Sequence, residues 1–202
     1  MKVRIWWLYL SFASGFLLAM WASELGVHWR NEEIHVAAPK LHFIAGQSLT
    51  RLKNGAAVPF DFQLQLWADT RVNLIGRAVE RFVVSYDVWE EKYSVTKLRG
   101  SASARENKTV SNLSANAAEA WCIDNIGLPP SGLRGDQPFF VRLEIRSTDP
   151  RRDDSGLMGE SGVSLSRLVE LFSHPAAPEQ QKWAIETGPM KLDDLRRTTR
   201  GS

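Results

Sequence analysis

The clearest signal along the chain is a set of segments in which apolar and polar side chains alternate. Phe60, Phe62, Leu64 and Leu66 are interleaved with Asp61, Gln63 and Gln65. A period of two marks a half-buried strand with one wet face, the habit of antiparallel sheets. Phe82, Val84, Tyr86 and Val88 form the inner row of a second, long strand over Val72 to Trp89. Its alternation slips between Gly76 and Arg81, where Val79 and Glu80 fall out of phase, so Gly76 marks a bulge or bend. Trp89-Glu-Glu-Lys92 makes a hairpin turn, and Tyr93 and Val95 resume the apolar row to about Leu98. Phe139, Val141, Leu143 and Ile145 alternate with Phe140, Arg142, Glu144 and Arg146, while Trp183 and Ile185 suggest a closing strand. Extended structure is also expected from Ile34, with Leu41 and Phe43 on one side and Lys40 and His42 on the other, and briefly at Lys108 to Val110.

Three short helices punctuate these strands. Ser48 stands where an N-cap belongs ahead of Leu-Thr-Arg-Leu-Lys, and Asn54-Gly55 supplies a left-handed stop. Asn116 with Glu119 three residues later resembles a capping box, and Pro129-Pro130 prevents continuation past Gly127. Ser164 can cap a last helix with Leu165, Leu168, Val169 and Phe172 on one face. The stretches 99–107 and 149–162 carry no apolar pattern and read as loops. No segment has the continuous apolar run of a buried parallel strand. The order therefore predicts an α+β domain, a mainly antiparallel sheet with two or three short helices on one face. A β-sandwich with helical insertions is the alternative. Phe62, Leu64, Phe82, Val84, Tyr86, Tyr93 and Val95 should form one apolar face against the helix that contains Trp121.

The N-terminus is of another kind. Eighteen uncharged residues, Ile5 to Ala22, follow Lys2 and Arg4. As a helix they reach roughly 27 Å, enough for a hydrocarbon core of about 30 Å. Trp6, Trp7 and Tyr9 near one end and Trp21 and Trp29 near the other fit interfacial aromatic belts. Lys2 and Arg4 hold the N-terminus in the cytoplasm, so the expected location is a single pass through the inner membrane with a periplasmic or otherwise extracytoplasmic domain. A cleaved signal peptide is the rival, but cutting after Ala22 or Ser23 puts Met20 or Trp21 at −3, where small residues belong. A buried core helix would have the wrong flanks. The chain then divides into an anchor or signal segment (1–22), a tether (23–33), one exported β-rich domain (34–195) and a flexible tail (196–202).

Charge narrows the function. The chain of 202 residues carries a formal +2, with 25 basic and 23 acidic residues. Lys2, Arg4 and Arg30 against Glu24 account for that surplus, leaving 22 of each sign over the other 172 residues. A nucleic-acid binder would keep its excess in the folded part, because phosphate contacts dominate affinity. Nucleic acid is not an expected partner.

Candidate chemistry is sparse. His28, His35, His42 and His174 show no HxH, HExxH or facial-triad spacing, and the single cysteine, Cys122, permits no internal disulfide and reads as packed. His42 would matter only with a perturbed partner in a cleft. Glu90-Glu91 and Asp193-Asp194 read as solvated charge, and Asp153-Asp154 lies in a loop. Arg142 and Arg146, sharing a strand face with Glu144, could meet an anionic partner or simply pair across strands. Trp67, Trp89, Trp121 and Trp183 read as core anchors. No catalytic, cofactor-binding or metal-binding residue is assigned.

The run Leu49–Gly55–Val58-Pro59-Phe60, continuing as FQLQLW, resembles the opening of a bacterial envelope family known as domain of unknown function 4390. The hairpin Val84-Ser-Tyr86 with Tyr93-Ser-Val95, the helix around Ala117 to Trp121, the strand Phe139 to Ile145 and the closing Leu171 to Pro189 fall in the same order. The similarity covers roughly residues 40–190, and an aromatic-rich insert expected between Trp67 and Leu74 is missing. The resemblance implies an exported domain behind an N-terminal hydrophobic segment and transfers no catalytic residue. The expected function is a membrane-anchored, non-enzymatic module that binds an envelope protein or component. A carrier of a lipid or small apolar ligand is the alternative, distinguished by an apolar cavity of several hundred Å³ between sheet and helices. An enzyme of unrecognised type is the third reading.

Overall fold

A computed structural model describes residues 25–98, 107–148, 158–159, 162–163, 165–176 and 180–200. The hydrophobic stretch 5–22 lies outside them, as do most of the two expected loops, with Asp153 and Asp154. Among the described residues no helix is long and apolar enough to cross a membrane.

Six antiparallel strands form the main sheet. β3 (Val58–Ala68) lies at its centre between β4 (Asn73–Asp87) and β8 (Pro138–Ser147), with β5 (Lys92–Leu98) and β6 (Lys108–Leu113) beyond β4 and β11 (Lys182–Lys191) beyond β8. A second sheet joins β1 (Gly26–Arg30), β2 (Glu33–Ala37) and β7 (Gly127–Leu128), and β9 (Met158–Gly159) pairs with β10 (Gly162–Val163). Among the described residues there are four short helices: α1 (Gly46–Lys53), α2 (Ala115–Asp124), α3 (Leu165–Ser173) and α4 (Leu192–Arg200). This is the α+β architecture that the alternation implies. The slip at Gly76 is a bulge: Leu66 pairs with Gly76 but Trp67 with Leu74, leaving Ile75 as the extra residue. A Cβ on Gly76 would stand 3.2 Å from Leu128 Cδ2, so the second sheet approaches the backbone there.

The core fills the space between the apolar face of the main sheet and α1, α2 and the second sheet. Phe43 is its hub, 4.9 Å from the Phe60 ring, 5.3 Å from Phe62 and 6.3 Å from Trp183, edge on in each case. Phe82 meets Trp121 of α2 at 5.9 Å, which places that helix on the hairpin face as expected. Phe43 itself belongs to the irregular segment after β2, not to a strand, and is pinned by these aromatic contacts.

Several other expectations are corrected. Residues read as a tether hold β1, whose Trp29 pairs with Ile34 and packs on the core. The supposed tail continues α4 to Arg200, with the Arg196 guanidinium 4.8 Å over the Trp29 ring. Ala45, not Ser48, is the N-cap of α1 and offers no side-chain cap; Gln181 Oε1 accepts from Ser48 N at 2.9 Å and Ser48 Oγ at 2.7 Å instead. Ser114, not Asn116, caps α2, accepting from Ala117 N at 3.2 Å. Finally, the helices do not share one face. α3 lies on the polar side of the main sheet, where Arg146 Nη1 donates to Leu171 O and His174 O and the guanidinium lies over the Phe172 ring. Asp61, Gln63 and Arg81 on that side are therefore buried, not wet. Trp89, by contrast, is 95% exposed at the β4–β5 turn and anchors nothing.

Candidate functional site

An apolar cleft of about 320 Å³ opens between the segment 36–42 and α2. Its walls are Val36, Ala38, Pro39 and Leu41 on one side and Ala120 and Ile123 on the other. It does not lie between the main sheet and the helices, where Phe43, Phe60 and Phe62 fill the space, but one layer further out. The small residues Ala38 and Ala120 leave room because the chain after β2 turns at Pro39, with Leu41 N donating to Ala38 O at 3.0 Å.

The polar rim of the cleft is His42 with Glu119. Glu119 stands on the inward face of α2, three and four residues before buried Cys122 and Ile123, which sets its side chain beneath the segment 42–44. Its Oε1 accepts from Ile44 N at 2.7 Å, and its Oε2 lies 2.8 Å from His42 Nδ1. The carboxylate is 5% exposed and the imidazole 56% exposed. Nδ1 therefore carries the proton given to the carboxylate, and Nε2 is the nitrogen turned to a visitor. Such a histidine–carboxylate pair can orient and polarise a hydrogen-bonded group. Among the described residues lining the cleft none carries a hydroxyl or thiol, so its reactive atoms are those of His42, Glu119 and Asp124. Cys122 is close in sequence, but burial, aided by the Glu119 charge, pushes its thiol well up, so it stays protonated.

Two other histidines meet although no motif spacing links them. His28 of β1 and His35 of β2 are directly paired, with rings stacked at 5.8 Å. Asp124 at the end of α2 receives Arg30 Nη1 at 2.8 Å and lies 3.5 Å from His28 Nε2. Burial lowers the His28 pKa below 6.5, with His35 and Arg30 adding to the effect and Asp124 opposing it. Among the described residues no group of three or more potential ligands is placed to hold a metal ion. His174 only caps α3, its Nδ1 3.0 Å from Glu170 O.

The carboxylate doublets separate as expected of surface charge. Glu90 and Glu91 are exposed in the β4–β5 turn, and Asp194 pairs with Arg197 within α4 at the helix surface. The Glu119–His42 pair is what sequence reasoning missed, since Glu119 had been given to a helix cap. Its place one helical turn before Cys122 and Ile123 was the available sign that it faces inward. No family model, curated protein or solved structure matches this chain, and the resemblance to domain of unknown function 4390 rests on its sequence motifs alone.

Proposed function

We propose that the chain is a non-enzymatic binding module, held to a membrane through residues 5–22 with its domain outside the cytoplasm. Its cleft takes a short apolar side chain of an envelope protein partner, flanked by a polar group that hydrogen-bonds His42 Nε2. One observation carries this reading: apolar walls beside a buried carboxylate that fixes the exposed imidazole. Convergence of a few polar groups on an apolar recess is the usual make-up of a recognition site, and about 320 Å³ is near the lower end of the common range. Carriage of a lipid or small apolar ligand is the second reading, favoured by the same walls. Aromatic packing around Phe43 fills the described space between sheet and helices, so such a ligand would sit in this outer recess.

The test is a photo-crosslinking residue at Ala120 in the full, membrane-attached chain. A discrete protein adduct that disappears in Ala38→Trp, which fills the cleft, supports the module. An adduct to lipid alone favours the carrier, and labelling no stronger than at exposed Thr50 overturns both.

A further inference from the structure

The opposite side of the molecule carries a second polar arrangement. Three cross-strand rows run over β4, β3, β8 and β11 on the face away from the core: Arg77–Gln65–Arg142–Glu186, Val79–Gln63–Glu144–Ala184 and Arg81–Asp61–Arg146–Lys182. The third row is closed. Arg81 grips Asp61 through two hydrogen bonds of 2.6 and 2.8 Å, Thr148 Oγ1 donates to the same carboxylate at 2.6 Å, and Arg146 is spent on Glu144 and the end of α3. The first row is open. Arg142 reaches Glu144 only at 3.4 Å, a carboxylate already shared with Arg146 at 2.7 Å and Lys182 at 3.2 Å, and its side chain is 39% exposed. Glu186, at the end of that row, is taken by Arg71 at 2.6 Å.

Three donors are left over. Arg77 Nε, Arg142 Nε and Gln63 Nε2 are each buried from solvent without a hydrogen-bond partner, and Gln63 as a whole is 2% exposed. They are neighbours. Both arginines stand opposite Gln65, one on each side of β3, and Gln63 lies one pair along, diagonal to both. Strands are about 4.8 Å apart, so two long side chains flanking one residue can converge above it. A buried donor without a partner is costly, and three together in a native fold call for an acceptor. The three rows hold five cations (Arg77, Arg81, Arg142, Arg146, Lys182) against three carboxylates (Asp61, Glu144, Glu186), so the acceptor should be an anion.

We infer that Arg77, Arg142 and Gln63 form a binding site for a phosphate-type oxyanion on the polar face of the main sheet. With Arg71 already on Glu186 the face keeps a positive surplus, which suits a phosphate oxyanion. Planar guanidinium forks suit its oxygens, and the amide supplies the third donor. The oxyanion belongs either to a soluble phosphate compound or to an anionic lipid headgroup. This site is separate from the cleft beside His42, and neither inference depends on the other.

The full chain, in discs of phosphatidylcholine, is titrated with inorganic phosphate at constant ionic strength set by chloride. Arginine Nε–H resonances are followed by NMR, with the melting temperature as a second readout. The resonances of Arg77 and Arg142 should shift saturably and the melting temperature should rise. Arg77→Met or Arg142→Met should weaken binding at least tenfold, while Arg134→Met, remote from these rows, should leave it unchanged. Shifts seen only when the discs contain phosphatidylglycerol would identify the headgroup as the source of the oxyanion. If neither phosphate nor phosphatidylglycerol moves these resonances in the unaltered chain, the site does not exist. That outcome stands whether or not the variants fold.

Discussion

Removing the Asp61 carboxylate is the sharpest test of how the polar side of the main sheet is built. Asp61 is 0% and Arg81 1% exposed, and the pair is held by the two guanidinium bonds and by Thr148. Asp61→Ala strips a buried guanidinium of its bidentate partner. Breaking such a buried pair costs about 3–5 kcal/mol, because the guanidinium stays in low dielectric and loses this bidentate carboxylate. That is a large part of the roughly 5–15 kcal/mol that holds a typical domain. Replacing both members, as in Asp61→Leu with Arg81→Met, removes the desolvated charges together and should come within about 1–2 kcal/mol of the parent. Urea unfolding of the full chain in non-ionic detergent, followed by tryptophan fluorescence, gives both values, provided the slope m is unchanged. The reasoning fails if Asp61→Ala costs under about 1 kcal/mol, the worth of an exposed pair. It also fails if the double variant is no better than the single one.

Three further outcomes are expected. Phe62→Ala should cost about 3–5 kcal/mol in the same melts, since its ring meets both Phe43 and Phe82. Because the folded pKa of His28 lies below its unfolded value of 6.5, the unfolded chain binds the extra proton first. Stability present above pH 6.5 should therefore decline as pH falls through that value, and His28→Gln should flatten the melting profile between pH 7 and 5. A reporter active only outside the cytoplasm, joined after Ser202, should be active, and changing Lys2 and Arg4 to Glu should scramble the orientation; a cytoplasmic C-terminus would overturn the anchored topology.

The strands were legible because burial acts at every second residue. Phe60 to Leu66, Phe82 to Tyr86 and Phe139 to Ile145 announce both their conformation and the face they bury. The covering of the other face was not legible. Asp61, Gln63 and Arg81 have the chemistry of a wet surface, yet they are buried on the side where α3 returns to meet Arg146. Local signals misplaced the helix starts for a similar reason. Ser48 has the right side chain for a cap, but Gln181, 133 residues away, supplies the acceptor. The cleft pair was hidden because Glu119 satisfies a local rule as well as a distant one. Periodicity put it on a helix, and only the fold of 38–44 brings His42 to it. Arg142 was visible as a strand-face cation, but Arg77, which joins it across β3, sits beside the bulge, where the alternation breaks and no face can be read.

The link between Trp29 and the last helix has a consequence for how the chain is completed. Thr199 Oγ1 donates to Trp29 O across 170 residues, and Arg196 roofs the same ring. β3 likewise finds its second neighbour, β8, only some 80 residues later. Loops that long must close before their contacts give any return. In any process that delivers this chain from its N-terminus, the β1–β2 hairpin emerges long before the helix that seals it. Trp29 waits for α4, and the open edge of β3 waits for β8. A chaperone that recognises aromatic side chains and unpaired strand edges would find its binding window there, and the arrival of α4 would close it.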